Sequence, residues 1–306
     1  MDFANWMKNL PQETQEKPLT ELKIPGSHDS FTYSLTTKLP IAPNAPAVAE
    51  KLSWLPCTKS VIKRWGITQS LDVTSQLNSG VRYFDFRVAY FETESDFRIV
   101  HSLYGSSVSS ILKLIAAFLA THAKEIVILD FNHYYAFTDE IKLHKKLLSL
   151  LEQTFGDLLC PYDSHYFTDC SLSSLWKNGY QVICCCHESV VTLPWTWPGH
   201  SIVSPWGNKD KISDLLDYLK THLDQRRGHS TFYVTQGILT PATSDVAKHL
   251  ASSLKDQLGL KATEAVVQWL GQLSTSEEAE LNIVMCDFAG DYDLPGVVIG
   301  KNLNIN

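Results

Sequence analysis

The sequence predicts an α/β fold built as a single (β/α) barrel, TIM-barrel-like and irregular in outline. Three observations predict it. Short apolar runs alternate with helical stretches along 306 residues, and no linker, repeat or low-complexity block divides residues 1–306 into separate units. No glycine-rich phosphate loop follows the first strand, as an open doubly wound sheet would normally carry. Polar residues recur at the ends of successive apolar runs: Asp85 and Arg87, His101, Asn132 and His133, His187, Gln236, Asp287. Barrel mouths gather sites from many strand ends in this way.

Taken in order, strands are expected at Val81–Ala89, Phe97–His101, Glu125–His133, Tyr180–His187, Thr231–Ile238 and Asn282–Phe288, each a short run rich in β-branched and aromatic residues. Helices are expected at Val108–Thr121, Asp139–Phe155, Lys209–Leu223, Ser244–Leu258 and Thr263–Leu273. The first of these sets Ile111, Leu114, Ile115 and Phe118 at helical spacing for burial. Strands separated by helices pair in parallel through crossovers. Lys38–Pro56, with its four prolines, reads as a loop excursion.

Composition limits the function. Hydrophobic residues make up 44% and charged residues 19%, a globular balance that excludes a disordered or coiled-coil chain. The formal net charge is −7 with no long basic stripe, so nucleic acid is not an expected partner. Any membrane contact must be local and partly apolar. Seven cysteines include the run Cys184-Cys185-Cys186, whose members alternate faces on a strand and cannot form a disulfide framework. No CxxC pair suggests zinc. The N-terminal stretch carries no signal-like apolar segment, and Ile111–Ala120 is about half the length that spans a bilayer. A cytoplasmic protein with reduced thiols is expected.

Three segments carry chemistry. Ile24–Ser30 ends an apolar run with a Pro-Gly turn that presents His28 and Asp29 on a loop or strand end. Val81–Arg87 alternates, with Tyr83, Asp85 and Arg87 on one face and Arg82, Phe84 and Phe86 on the other. Ile99–Gly105 ends a strand on His101. Alone, each has a structural explanation: a capped turn, a strand ion pair, a hydrogen-bonded core histidine. Together, two histidines can act as general base and general acid, an arginine can stabilise phosphoryl charge, and carboxylates can orient the imidazoles. Cleavage of a phosphodiester by an internal hydroxyl needs that set.

At these residues the chain resembles a known family. Pro25–Ser30 (PGSHDS), Gly80–Arg87 (GVRYFDFR), the His101 segment and Glu125–His133 (EIVILDFNH) resemble the catalytic X region of phosphatidylinositol-specific phospholipases C. Lys63–Gln69 (KRWGITQ) is similar to the secreted bacterial enzymes. The resemblance is closer to the animal phospholipase C X-domain-containing proteins, with the type 1 branch the expected placement. It runs from Asn5-Trp6-Met7 to Asn282–Phe288, almost the whole chain. No PH, EF-hand, Y or C2 region accompanies it.

The resemblance implies roles residue by residue. His28 matches the general base that takes the inositol 2-hydroxyl proton, and His101 the acid that protonates the departing diacylglycerol oxygen. Asp287 matches the carboxylate orienting the base, while Asp29 and Asp85 match acidic residues beside the phosphate. Arg87 stands where calcium-dependent enzymes carry a metal-binding carboxylate, and a guanidinium has no lone pair for a metal. No cofactor is therefore expected, with calcium as the alternative. Asn132, His187 and Gln236 fall near headgroup-binding positions without matching their usual side chains. The implied partner is an inositol phospholipid at a membrane surface, of open phosphorylation state.

Two clusters suit transient membrane contact: Trp54 and Trp65 with Lys51, Lys59, Lys63 and Arg64, and Trp195, Trp197 and Trp206. Packing onto the barrel wall is the other reading of each tryptophan. From a different functional class, a catalytically weak lipid-binding or scaffold protein would retain the same fold. A metal-dependent glycerophosphodiesterase is disfavoured by Arg87.

Overall fold

The computed structural model describes residues 2–51, 55, 57–163, 170–226, 228 and 230–303. Ten strands form one curled sheet: β1 (Ile24–Ser27), β2 (Tyr83–Phe91), β3 (Asp96–His101), β4 (Leu103–Ser107), β5 (Val127–Tyr135), β6 (Val182–Cys186), β7 (Thr196–Pro198), β8 (Ile202–Val203), β9 (Phe232–Gly237) and β10 (Ile283–Cys286). The order is β7-β6-β5-β2-β1-β10-β9-β8, all parallel, with the antiparallel β3 and β4 hanging off β2. Among the described residues, no strand ladder joins the two ends of the sheet to each other. They are consecutive pieces of one stretch of chain, β7 beside β6 and β8 beside β9, joined by a single turn at Gly199–Ser201. The ring is thus closed covalently, which makes the barrel irregular as expected.

A sheet in this position buries both faces, so its strands are nearly continuously apolar. The inner face packs Ile24, Tyr83, Ile128, Ile183, Cys185, Val234, Ile283 and Met285 into the lumen, and Trp6, Met7 and Leu10 plug its floor. The outer face packs Phe84, Phe86, Leu129 and Val284 against surrounding helices. In the helix Val108–Thr121 the buried stripe is Ile111, Leu112, Ile115, Phe118 and Leu119. Leu114 lies beyond its edge and is 45% exposed, contrary to expectation.

The helices Val108–Thr121, Glu140–Phe155 and Ile212–Gln225 lie where the periodicity puts them. Ser244–Leu258 does not form one helix. A short helix at Thr243–Lys248 stops, and a π-helical turn at Lys255–Gly259 leads into Leu260–Leu270. Between the two, Arg64 donates to the carbonyls of Leu250 (2.5 Å) and Ser252 (3.1 Å), so these groups are satisfied outside a helix. Pro25-Gly26 is not a turn but the centre of β1, in register with Val284 and Met285. A Cβ on Gly26 would lie 2.8 Å from the Tyr83 ring, so glycine lets the two strands close up. The excursion after Lys38 is tied down where Ala42 N–H donates to Ser102 O.

Candidate active site

All parallel strands point their C-terminal ends at a cavity of about 600 Å³. His28 and Asp29 follow β1 directly, and Asp287 follows β10, so neighbouring strands place them side by side. Asp29 and Phe288 take positive φ (42° and 48°), turning the chain sharply after each short strand. Asp85 and Arg87 project from β2, where the β2/β5 register shifts between Phe86 and Arg87. Such a bulge re-aims a side chain. His101 arrives on the antiparallel β3.

His28 Nδ1 lies 2.7 Å from Asp287 Oδ1. Its Nε2 is 3.1 Å from Arg87 Nη2 and 3.4 Å from Asp29 Oδ2. Arg87 Nε sits 2.7 Å from Asp29 Oδ1, an ion pair without hydrogen-bond alignment. His101 Nε2 is 3.7 Å from Asp29 Oδ2, and its Nδ1 donates to the Gly66 carbonyl at 2.8 Å. Asp85 Oδ2 accepts from the Asp29 backbone N–H, while Oδ1 accepts from Asn132 Nδ2. The six expected residues His28, Asp29, Asp85, Arg87, His101 and Asp287 therefore form one cluster.

Electrostatics follow from burial and pairing. Burial depresses the His28 imidazolium, but Asp29 and then Asp287 outweigh it and push the group up to about 9. For Asp29 burial raises the acid, and Arg87, His101 and His28 overcome it, holding it at about 2. Arg87 loses by burial and gains more from Asp29 and Asp85, so it is held firmly charged.

Asn132 extends the cluster toward Asp130 at 3.3 Å. His187, on the β6 side, pairs with Asp130 Oδ1 at 2.8 Å. Gln236 lines the cavity but spends its amide on Ser204. Sequence reasoning missed Asp130, buried within an apolar run; its signal was alternation, which puts Ile128, Asp130 and Asn132 on one face. It also missed the Gly66 carbonyl, a backbone group that no residue pattern reveals.

The tryptophan clusters require correction. Trp195 and Trp197 are buried (8% and 1% exposed), with Trp197 Nε1 donating to Cys160 O. Trp65 is buried in the cavity wall, Lys59 and Arg64 bind backbone carbonyls, and Trp54 lies outside the described residues. Only Trp206 of the second cluster is exposed, at 55%, on the cavity rim.

Fold and mouth together define a phospholipase C-like barrel. No family model matches the chain. The chain belongs to the PI-PLC X domain-containing proteins: it is 34% identical to member 3 of Mus musculus, over 100% of this chain and 95% of that one. It is 36% identical to member 2 of Mus musculus (98% and 87% covered) and 33% to member 1 of Homo sapiens (97% and 92%). These values do not single out type 1. Among solved structures, the fold is similar to the phosphatidylinositol-specific phospholipase C of Listeria monocytogenes (TM-score 0.70, 16% identity, 98% and 99% covered). It is also similar to that of Staphylococcus aureus, in a structure concerned with that protein's membrane binding (TM-score 0.66, 16% identity, 99% and 98% covered).

Proposed function

We propose that the protein cleaves phosphatidylinositol-type lipids to diacylglycerol and a cyclic inositol phosphate. One observation carries this reading: two imidazoles, His28 and His101, face the same Asp29 oxygen at 3.4 and 3.7 Å while Arg87 holds the other. Neutral His28, its Nδ1–H fixed by Asp287, takes the proton of the inositol 2-hydroxyl. The freed oxygen forms its bond to phosphorus as the bond to the diacylglycerol oxygen breaks. Charged His101 gives that oxygen its proton. Arg87 offers planar paired donors to the phosphoryl oxygens, which is where charge builds up. Holding these groups in line does most of the work, because phosphoryl transfer needs little covalent help.

No metal enters this scheme. His28, Asp29 and Asp85 offer ligand atoms within 4.8 Å of one another. Arg87 stands among them, 2.7 Å from Asp29, 3.1 Å from His28 and 3.9 Å from Asp85. A divalent cation there would meet a permanent like charge and too few oxygens, so the residues do not fit one. Among the described residues no helix is long and apolar enough to cross a membrane. Access to lipid is proposed through peripheral contact of the rim around Trp206, in line with the membrane binding of the Staphylococcus aureus neighbour.

The test is hydrolysis of phosphatidylinositol vesicles in excess chelator. His28→Ala and His101→Ala are each expected to lose roughly 100- to 10,000-fold. Arg87→Lys should restore little of what Arg87→Ala loses, since a point charge does not reproduce the fork. Lipid binding without turnover in the wild type would leave the scaffold reading in its place, and a strict calcium requirement would overturn metal independence.

A further inference from the structure

On the β5–β6 side of the cavity three side chains form a chain across adjacent strands. Tyr83 Oη donates to Asp130 Oδ2 at 2.7 Å, and His187 Nε2 lies 2.8 Å from Asp130 Oδ1. Asp130 is fully buried. Asn132 Nδ2 spans Asp85 Oδ1 (2.7 Å) and Asp130 Oδ2 (3.3 Å), so this wall is tied rigidly to the catalytic cluster.

The charge on this wall is unusual for a site that must accept phosphate. Among the described residues lining the cavity there is no lysine, and Arg87, committed to Asp29 and the scissile phosphate, is the one arginine. Glu188 adds a second carboxylate at the rim. Burial lowers His187, but Asp130, with Asp85 and Glu188 beyond, raises it, so any charge it carries already faces a carboxylate at 2.8 Å. His133 is kept low by burial and by Arg87.

We propose that the Tyr83–Asp130–His187 wall selects the headgroup, taking it as an uncharged polyol and rejecting a phosphomonoester on the ring. This rests on the phosphodiesterase reading and adds the substrate class: an inositol lipid whose only phosphorus is the scissile one. A phosphomonoester brings about −1.5 to −2 charge. Sites that hold one use arginine or lysine donors, whereas here it would enter the field of the buried Asp130 carboxylate and face the exposed Glu188. Ring hydroxyls both donate and accept, which suits a lining of carboxylate, amide and imidazole.

The experiment compares initial rates of the full-length chain on vesicles of phosphatidylinositol and of phosphatidylinositol 4-phosphate, with surface charge matched by background lipid. Phosphatidylinositol should be cleaved faster by about tenfold or more, as expected where an unpaired charge must be rejected. Equal or faster cleavage of the 4-phosphate overturns the inference. Glu188→Lys, at an exposed position and with folding checked by melting, should raise the 4-phosphate rate; no change there counts against the charge argument. Asp130→Asn, with folding checked by melting, should raise KM for phosphatidylinositol more than it lowers kcat. Cleavage of neither lipid would sink the proposed reaction and leave selectivity to calorimetry. There, tighter binding of inositol 1-phosphate than inositol 1,4-bisphosphate supports the inference, and the reverse order or no binding overturns it.

Discussion

His28 has a partner for each of its protonation states. When neutral, its Nε2 accepts from Arg87 at 3.1 Å; when charged, the same nitrogen faces Asp29 at 3.4 Å. Because the folded group sits at about 9, above its ordinary 6.5, its pairing stabilises the fold fully below pH 6.5, and that contribution is lost as pH rises through 9. Asp29, held at about 2, works in the opposite sense: its contribution is present above 3.8 and lost as pH falls through 2. The His28 imidazole signals in NMR are therefore expected to titrate near pH 9, above the ordinary 6.5, and Asp29→Asn should move that titration to lower pH. A titration at the ordinary 6.5 in the unaltered protein, or one that Asp29→Asn does not move, would contradict the pairing. The histidines, Arg87 and Asp287 were legible because short polar motifs interrupt apolar strands. Asp130 was not, since a lone carboxylate inside Ile126–Phe131 reads as core until its neighbours across the sheet are known.

At the scale of elements, legibility followed the source of order. The helix Val108–Thr121 follows from its own periodicity and the Ser107 cap, so the sequence predicts both its ends. The segment after the break at Lys248 is held by Arg64, far away in the chain, and no local pattern announces that contact. β1 was hidden in the same way: four residues containing Pro and Gly become a central strand only because β10 and β2 flank them. The floor of the barrel depends on one buried pair. Arg82 binds Glu125 at 2.9 Å and the carbonyls of Leu77 and Ala4, while Glu125 accepts from the N–H groups of Met7 and Lys8. Both side chains are fully buried. Glu125→Ala strands the guanidinium and is expected to cost about 3–5 kcal/mol in denaturant unfolding. The folded fraction should keep its activity, because the pair lies at the end of the barrel remote from the cavity.

For the whole molecule, the exposed and buried tryptophans make separable predictions. Trp206→Ala should weaken co-sedimentation with anionic vesicles and leave melting unchanged, since the ring is 55% exposed. Trp197→Ala should cost about 3–5 kcal/mol of stability, as removal of a core aromatic does. Unchanged vesicle binding by Trp206→Ala would move the membrane contact elsewhere on the surface. The seam between β7 and β8 bears on how the halves of the mouth differ. His28, Asp287 and Arg87 stand on β1, β10 and β2, joined by unbroken ladders, so their spacing is set by backbone hydrogen bonds. His187 and Trp206 stand on either side of the Gly199–Ser201 link, where no ladder spans the gap. The mouth is framed unevenly: paired strands hold His28, Asp287 and Arg87, and a covalent turn completes the circle.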